Sequence, residues 1–193
     1  MVYPKLRRDQ LFIAPPAKGR YTVIHLKAGD HMQQDIIFRP IGAVRSPFTE
    51  PTGTPIQSSA AGDTAGIVEI LPEYREGLQD IEGFSHLILL TYFHLTQGLS
   101  LKVTPFLDDH KRGLFATLAP ARPNPIGLSI VRLERVEGTR LHIRDVDIVE
   151  GTPVLDIKPY VPKFDMRQDA TSGWFTENLD LLECTRDDGR FLP

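Results

Sequence analysis

From residue 36 onward the chain alternates short apolar runs with breaks marked by Pro and Gly, and the runs carry the two-residue period of strands. The pattern is clearest in Gly113–Leu133. There an apolar run leads into a polar corner, Arg122-Pro123-Asn124-Pro125, and then into a second run where Leu128, Ile130 and Arg132 alternate with Ser129, Val131 and Leu133. Each proline fixes its own φ and pushes the residue before it away from the helical region, so the corner is stiff and extended. Taken alone, this block is either a corner between strands or the wall of a site. Further strand-like runs are Ile36–Ser46, Gly66–Leu71, Phe84–Leu95, Gly113–Leu118, Ile126–Val136, Arg140–Val149 and Val154–Tyr160. Only Glu73–Ile81 reads as a helix, entered at Pro72 and closed by Gly83.

Ile126–Val136 and Arg140–Val149 are joined by Glu137-Gly138-Thr139, which suits a tight hairpin with Gly at positive φ. The 16 prolines fall outside the centres of the runs. The body is therefore expected to be mostly β, a closed barrel or a sandwich rather than a βαβ fold. Residues 1–35 read as an N-terminal extension, with Pro15 and Pro16, one strand at Tyr21–Leu26 and a polar turn at Gly29-Asp30.

Length and charge narrow the function classes. At 193 residues and 41% hydrophobic content the chain can bury a full core as one domain. With 22 basic and 25 acidic residues, its net charge of -3 exerts no global pull on nucleic acid, so such binding needs a local basic patch. Cys184 is the only cysteine, which excludes an internal disulfide and a thiolate-clustered metal site and suits a reducing cytoplasm. Lys5, Arg7 and Arg8 precede Leu11–Ala14, a run too short for a signal core, and no apolar run nears the roughly 20 residues of a membrane span.

The common cofactor and hydrolase fingerprints are missing: GxGxxG opening a helix, GxxxxGK[ST], HExxH and GxSxG. In Gly83–His94 the two-residue period puts His86, Tyr92 and His94 on one face. A third ligand at a suitable spacing is lacking, so no metal is expected. Glu150-Gly-Thr-Pro-Val-Leu-Asp-Ile-Lys-Pro-Tyr160 turns sharply at Gly151-Thr152-Pro153, where backbone and hydroxyl groups can meet a polar ligand, while Asp156 and Lys158 alternate outward from Leu155 and Ile157. A hairpin turn with an exposed ion pair would carry the same pattern.

Four blocks taken together go further. Pro40-Ile-Gly-Ala-Val-Arg-Ser-Pro47, Gly83-Phe-Ser-His-Leu87 with Phe93-His94, Phe115-Ala-Thr117 with Arg122-Pro-Asn-Pro-Ile-Gly127, and Gly151-Thr-Pro-Val-Leu-Asp-Ile-Lys-Pro-Tyr160 resemble the TrmO family, also called YaeB-like or VirR-like. The resemblance runs over about residues 36 to 165. It implies a single closed or nearly closed β-barrel with short helices over 36–165, preceded by the extension at 1–35 and followed by a C-terminal tail, 166–193, packing on the barrel. It also implies an S-adenosylmethionine-dependent methyltransferase acting on threonylcarbamoyladenosine beside the tRNA anticodon, with tRNA as partner, a homodimer with the cofactor near the subunit interface, no membrane and a cytoplasmic location.

Carried over residue by residue, the cofactor segments fall on Pro55, Ile56 and Gln57, on Phe93 and His94, on Leu118, Leu128 and Ser129, and on Gly151, Thr152, Pro153 and Val154. Arg122, Asn124 and Lys158 become substrate or site-corner residues, and Asp156 and His94 are candidates for removing the proton of the attacking nitrogen. Two positions depart from the family. Leu118 stands where an Arg commonly follows Ala-Thr, and Leu95 replaces the usual polar residue after Phe-His, which removes a fork of donors suited to a carboxylate or phosphate. These departures keep two alternatives open, a methyltransferase with another substrate and a non-catalytic, cofactor-binding regulatory barrel.

Overall fold

The computed structural model describes residues 36–192 and the backbone of Val23–Ile24. The other features read in the extension, including Pro15, Pro16, the ends of the Tyr21–Leu26 run and the Gly29-Asp30 turn, lie outside the described residues. Contacts divide the chain between Phe38 and Arg39. In the first unit β1 (Val23–Ile24) pairs antiparallel with β2 (Ile36–Ile37), Val23 opposite Ile37.

The second unit contains β3 (Gly42–Arg45), β4 (Gly66–Ile70), β5 (His86–Tyr92), β6 (Lys102–Val103), β7 (Arg112–Gly113), β8 (Ile126–Glu137), β9 (Arg140–Arg144) and β10 (Pro153–Pro159). Six of these strands pair in a closed ring, in the order β10-β3-β4-β9-β8-β5, and every neighbouring pair is antiparallel. Closure leaves this sheet no free edge. The strands β6 and β7 form a separate pair. Among the described residues Pro162–Asp165 is the one α-helix, and the other helical pieces are 3-10 turns, so the fold is mostly β.

The two-residue period explains the core. Leu87 and Leu89 of β5, Val131 of β8, Leu141 and Ile143 of β9, Val68 of β4 and Val44 of β3 all turn inward and are fully buried. Where β3 crosses β4 the backbones come so close that a Cβ on Gly42 would sit 2.2 Å from the Glu69 carbonyl oxygen. The hairpin after β8 turns at Gly138 with φ 66°, as its sequence demands.

Several runs are shorter than their apolar pattern. Gly113–Leu118 is not a strand beyond Gly113, because Leu114–Ala116 coils into a 3-10 turn. The carbonyls of that run are taken by side chains, Thr117 Oγ1 donating to Leu114 and Arg122 Nη1 to Leu114, Thr117 and Ala119, which leaves no ladder to form. Ile36–Ser46 is broken between β2 and β3, around Pro40, which has no N–H to offer a neighbour. Phe84–Leu95 pairs only over His86–Tyr92, and Arg140–Val149 stops at Arg144, where Asp145 adopts φ 64°. The expected Glu73–Ile81 helix is a 3-10 helix, Pro72–Leu78, and a second short turn, Ile81–Gly83.

Candidate functional site

At one end of the ring the apolar core gives way to hydroxyl groups. Thr91 at the end of β5 pairs with Gly127 at the start of β8 and with Val154 at the start of β10, and Thr91, Ser129 and Thr152 are all buried. Gly127 is required there: a Cβ would lie 2.6 Å from Thr91 Oγ1 and 2.9 Å from Cε1 and Cζ of Phe93. The Phe93 ring therefore rests on the bare backbone of Gly127. Phe93 N–H donates to the Pro125 carbonyl at 2.8 Å, which ties the end of β5 to the proline corner.

Beside it, His94 Nδ1 lies 3.4 Å from Thr152 Oγ1. Partial burial of the ring lowers the His94 pKa from 6.5, so at neutral pH the imidazole is uncharged and keeps a lone pair. Thr152 is itself fixed by the turn Gly151-Thr152-Pro153. Gly151 takes φ 74°, its N–H donates to the Val44 carbonyl at 2.8 Å, and Val44 N–H donates back to the Thr152 carbonyl at 3.0 Å.

A second surface adjoins residues 55–59. The loop 114–122 is pinned by Arg122, whose Nη1 donates to the carbonyls of Thr117 at 3.0 Å and of Leu114 and Ala119 at 3.4 Å, with the guanidinium 5.7 Å from the Phe115 ring centre. Leu118 is thereby held 65% exposed. Together with Ile56, Gln57, Phe106, Phe175 and Leu182 it lines a cavity of about 460 Å³, and none of the lining residues is charged. The tail lines part of this cavity and is tied to the neighbouring loops by specific bonds. Trp174 Nε1 donates to the Ala116 carbonyl at 2.7 Å, Gly53 N–H to Asp187 at 2.7 Å, and Asp187 N–H to Thr54 at 2.9 Å, while Pro55 bridges Arg186.

The residues singled out in the sequence thus do not form one site. Phe93, His94, Ser129, Gly151 and Thr152 meet at the mouth of the ring, and Pro55, Ile56, Gln57 and Leu118 belong to the cavity loops. Leu128 faces out from β8, on the side opposite Ser129, and is 60% exposed. Val154 is fully buried in the core, and Pro153 is half-buried. Asp156 sits beside a β-bulge at Leu155, paired with Lys158 Nζ at 2.7 Å and accepting the Ile157 N–H at 2.9 Å. Asn124 is exposed, and its carbonyl accepts the Ile126 N–H at 2.8 Å in a tight turn.

His86 and His94 do not converge, since His86 Nδ1 contacts Ser85 Oγ at 2.9 Å. Elsewhere Asp108, Asp109 and His110 bring ligand-type atoms within 4.8 Å of one another, but Asp108 is already held by Arg112 Nε at 2.6 Å. Two polar residues of the ring mouth escape the sequence reading. Thr91 is hidden in an apolar run, and Asp147 is a lone acid between the core residues Val146 and Ile148. Burial pushes the Asp147 carboxyl up to about 6, and its Oδ1 has no hydrogen-bond partner among the described residues.

Comparison with known proteins fits this geometry. The family model for the tRNA-methyltransferase O N-terminal domain matches residues 43–166, which takes in β3 from its second residue and all of β4 to β10. A probable S-adenosyl-L-methionine-binding protein of Pyrococcus abyssi is 57% identical over 81% of this chain and 85% of its own length. The human tRNA (adenine(37)-N6)-methyltransferase is 38% identical over 78% of this chain, which spans 36% of the human protein. The crystal structure of TrmO from Pseudomonas aeruginosa superposes with a TM-score of 0.61 at 43% identity, covering 70% of this chain and 60% of that one. With the family model matched across all six strands of the ring and with relatives this similar, the chain belongs to the tRNA-methyltransferase O family.

Proposed function

We propose that this protein is an S-adenosylmethionine-dependent tRNA methyltransferase that methylates threonylcarbamoyladenosine beside the anticodon. The observation that carries the reading is the Phe93 ring lying on the bare backbone of Gly127, with the next residue, His94, against Thr152, inside the span matched by the family model. The residues suit the cofactor. Its adenine needs an uncharged apolar slot with a few hydrogen-bonding groups, which the cavity beside Gln57 offers, and its sulfonium is favoured by an aromatic ring such as Phe93. The Thr152 hydroxyl beside His94 is the polar group we assign to its ribose or methionine end.

When bound, the cofactor supplies a methyl group already activated for displacement. The chain's own residues then hold the acceptor in line and keep water out, which proximity and orientation make worth several kcal/mol. Neutral His94 is assigned to accept the proton of the acceptor nitrogen, which the adjoining carbamoyl group makes more acidic. Asp156 is the weaker candidate because Lys158 already neutralises it. Arg122 and Asn124, held by the flanking prolines, form the corner that faces the RNA, with Lys158 as a further phosphate contact.

We read the six-strand ring as a β-barrel spanning residues 36–165, with residues 1–35 as an extension and 166–193 as a tail packing on the barrel. The protein acts as a cytoplasmic homodimer, and the outward Leu128 and Ile130 on β8, 60% and 37% exposed, are apolar surface for the partner copy. Leu118 and Leu95, in place of polar residues, favour a second reading in which another acceptor is methylated. Incubation with methyl-labelled cofactor and bulk tRNA, followed by nucleoside mass spectrometry, separates the two: label in threonylcarbamoyladenosine supports the first reading, and label elsewhere the second. Cofactor binding with no transfer of label would leave a regulatory barrel.

A further inference from the structure

Asp108 stands four residues before Arg112, the first residue of β7, and its carboxylate is enclosed, with 5% of the side chain exposed. It accepts the His110 amide at 3.0 Å and Arg112 Nε at 2.6 Å, while the backbone of Arg112 pairs with Val103 of β6. The Arg112 side chain is therefore fixed at its root and at its head. Its guanidinium lies over the Trp174 ring, 5.4 Å from the ring centre, within the range where a cation is attracted to an aromatic face.

Trp174 is held from a second side, by the hydrogen bond of Nε1 to the Ala116 carbonyl at 2.7 Å. Phe175 stacks on it, with ring centres 3.8 Å apart and planes 24° from parallel, and Phe175 lines the cavity that Leu118 and Gln57 also line. A run of direct contacts thus leads from an enclosed acid to an aromatic wall of the cavity. Trp174 and Phe175 lie beyond the 43–166 span of the family model, so this wall is an addition to the matched domain. We propose that Asp108 and Arg112 are positioning residues that hold Trp174, and through it the Phe175 ring, as the wall on which the adenine of the cofactor packs. The proposal rests on the cofactor reading given above. A planar base suits such a wall, since stacking favours a flat partner over an uncharged ring.

The test measures the emission of Trp174, the only tryptophan, and the binding of S-adenosylmethionine by calorimetry, in wild type, Arg112→Met, Asp108→Asn and Phe175→Ala. Arg112→Met keeps the apolar stem and removes the cation. In the protein without cofactor its emission is expected to move to longer wavelength as water reaches the ring, and that of Asp108→Asn to move the same way. All three variants should bind the cofactor about tenfold more weakly. In methyl transfer to bulk tRNA their KM for the cofactor should rise by more than kcat falls, because the wall holds the adenine and not the reacting methyl.

Unchanged emission in Arg112→Met overturns the hold on Trp174, and shifted emission with unchanged affinity in Arg112→Met and Phe175→Ala overturns the wall. A fall in kcat at constant KM overturns it as well. Wild-type protein that fails to bind the cofactor, with emission still shifted in Arg112→Met, overturns the cofactor reading and leaves the hold on Trp174 standing. Should Arg112→Met fail to fold, Asp108→Asn decides on the same two readouts, emission and affinity.

Discussion

At the scale of single residues, the site is defined as much by a missing side chain as by those present. Gly127→Ala drives a methyl into Thr91 and Phe93, and the expected result is a loss of about 1–3 kcal/mol in stability together with weaker cofactor binding. Gly113→Ala, where nothing lies within 4 Å of the added Cβ, is the control and should leave both unchanged in urea melts and calorimetry. Asp147 makes a separate prediction. Its folded pKa, about 6, lies above the ordinary 3.8, so the folded state holds the proton more tightly than the unfolded one. Stability is then undiminished below about pH 4, falls as the pH rises to 6, and stays low above it, by an amount on the order of 2–3 kcal/mol. Thermal melts of Asp147→Asn should lack this decline and show a higher Tm than wild type at pH 7.5.

At the scale of elements, the loop 114–122 and the tail act as a pair. Arg122 satisfies three carbonyls that would otherwise belong to a strand ladder, so its removal acts first on loop order. Arg122→Ala is expected to lower stability by about 1–2 kcal/mol and to abolish most methyl transfer, whereas Asn124→Ala, at an exposed position, should reduce transfer with little change in Tm. Trp174 is the only tryptophan and donates to the Ala116 carbonyl at 2.7 Å, so its fluorescence reports the contact between tail and loop. An emission shift to longer wavelength in Arg122→Ala, absent in Asn124→Ala, would show that the tail follows the loop.

At the scale of the molecule, the net charge of -3 means that affinity for RNA comes from local groups, and it should fall steeply with salt only if several of them meet phosphates. Saturating S-adenosylmethionine should raise the Tm by mass action, and a flat thermal shift would count against the cofactor reading. For assembly, light scattering of the wild type should give the mass of two chains, with Leu128→Glu combined with Ile130→Glu giving one. No helix among the described residues is long and apolar enough to cross a membrane.

Local alternation was enough to place the ring strands approximately, because a strand with one face in the core must repeat every two residues, as Leu128 to Leu133 do in β8. It also located the hairpin at Gly138 and the stiff corner before Gly127, where the residue types themselves restrict φ. The four sequence blocks were sufficient to identify the family. Where the runs would stop was not legible, since Leu114–Leu118 is as apolar as a strand and becomes a turn only because Arg122 and Thr117 take its carbonyls. Nor could the sequence tell that the tail lines the cavity beside Gln57. Those facts depend on which strands close the ring and on contacts between residues far apart in the chain.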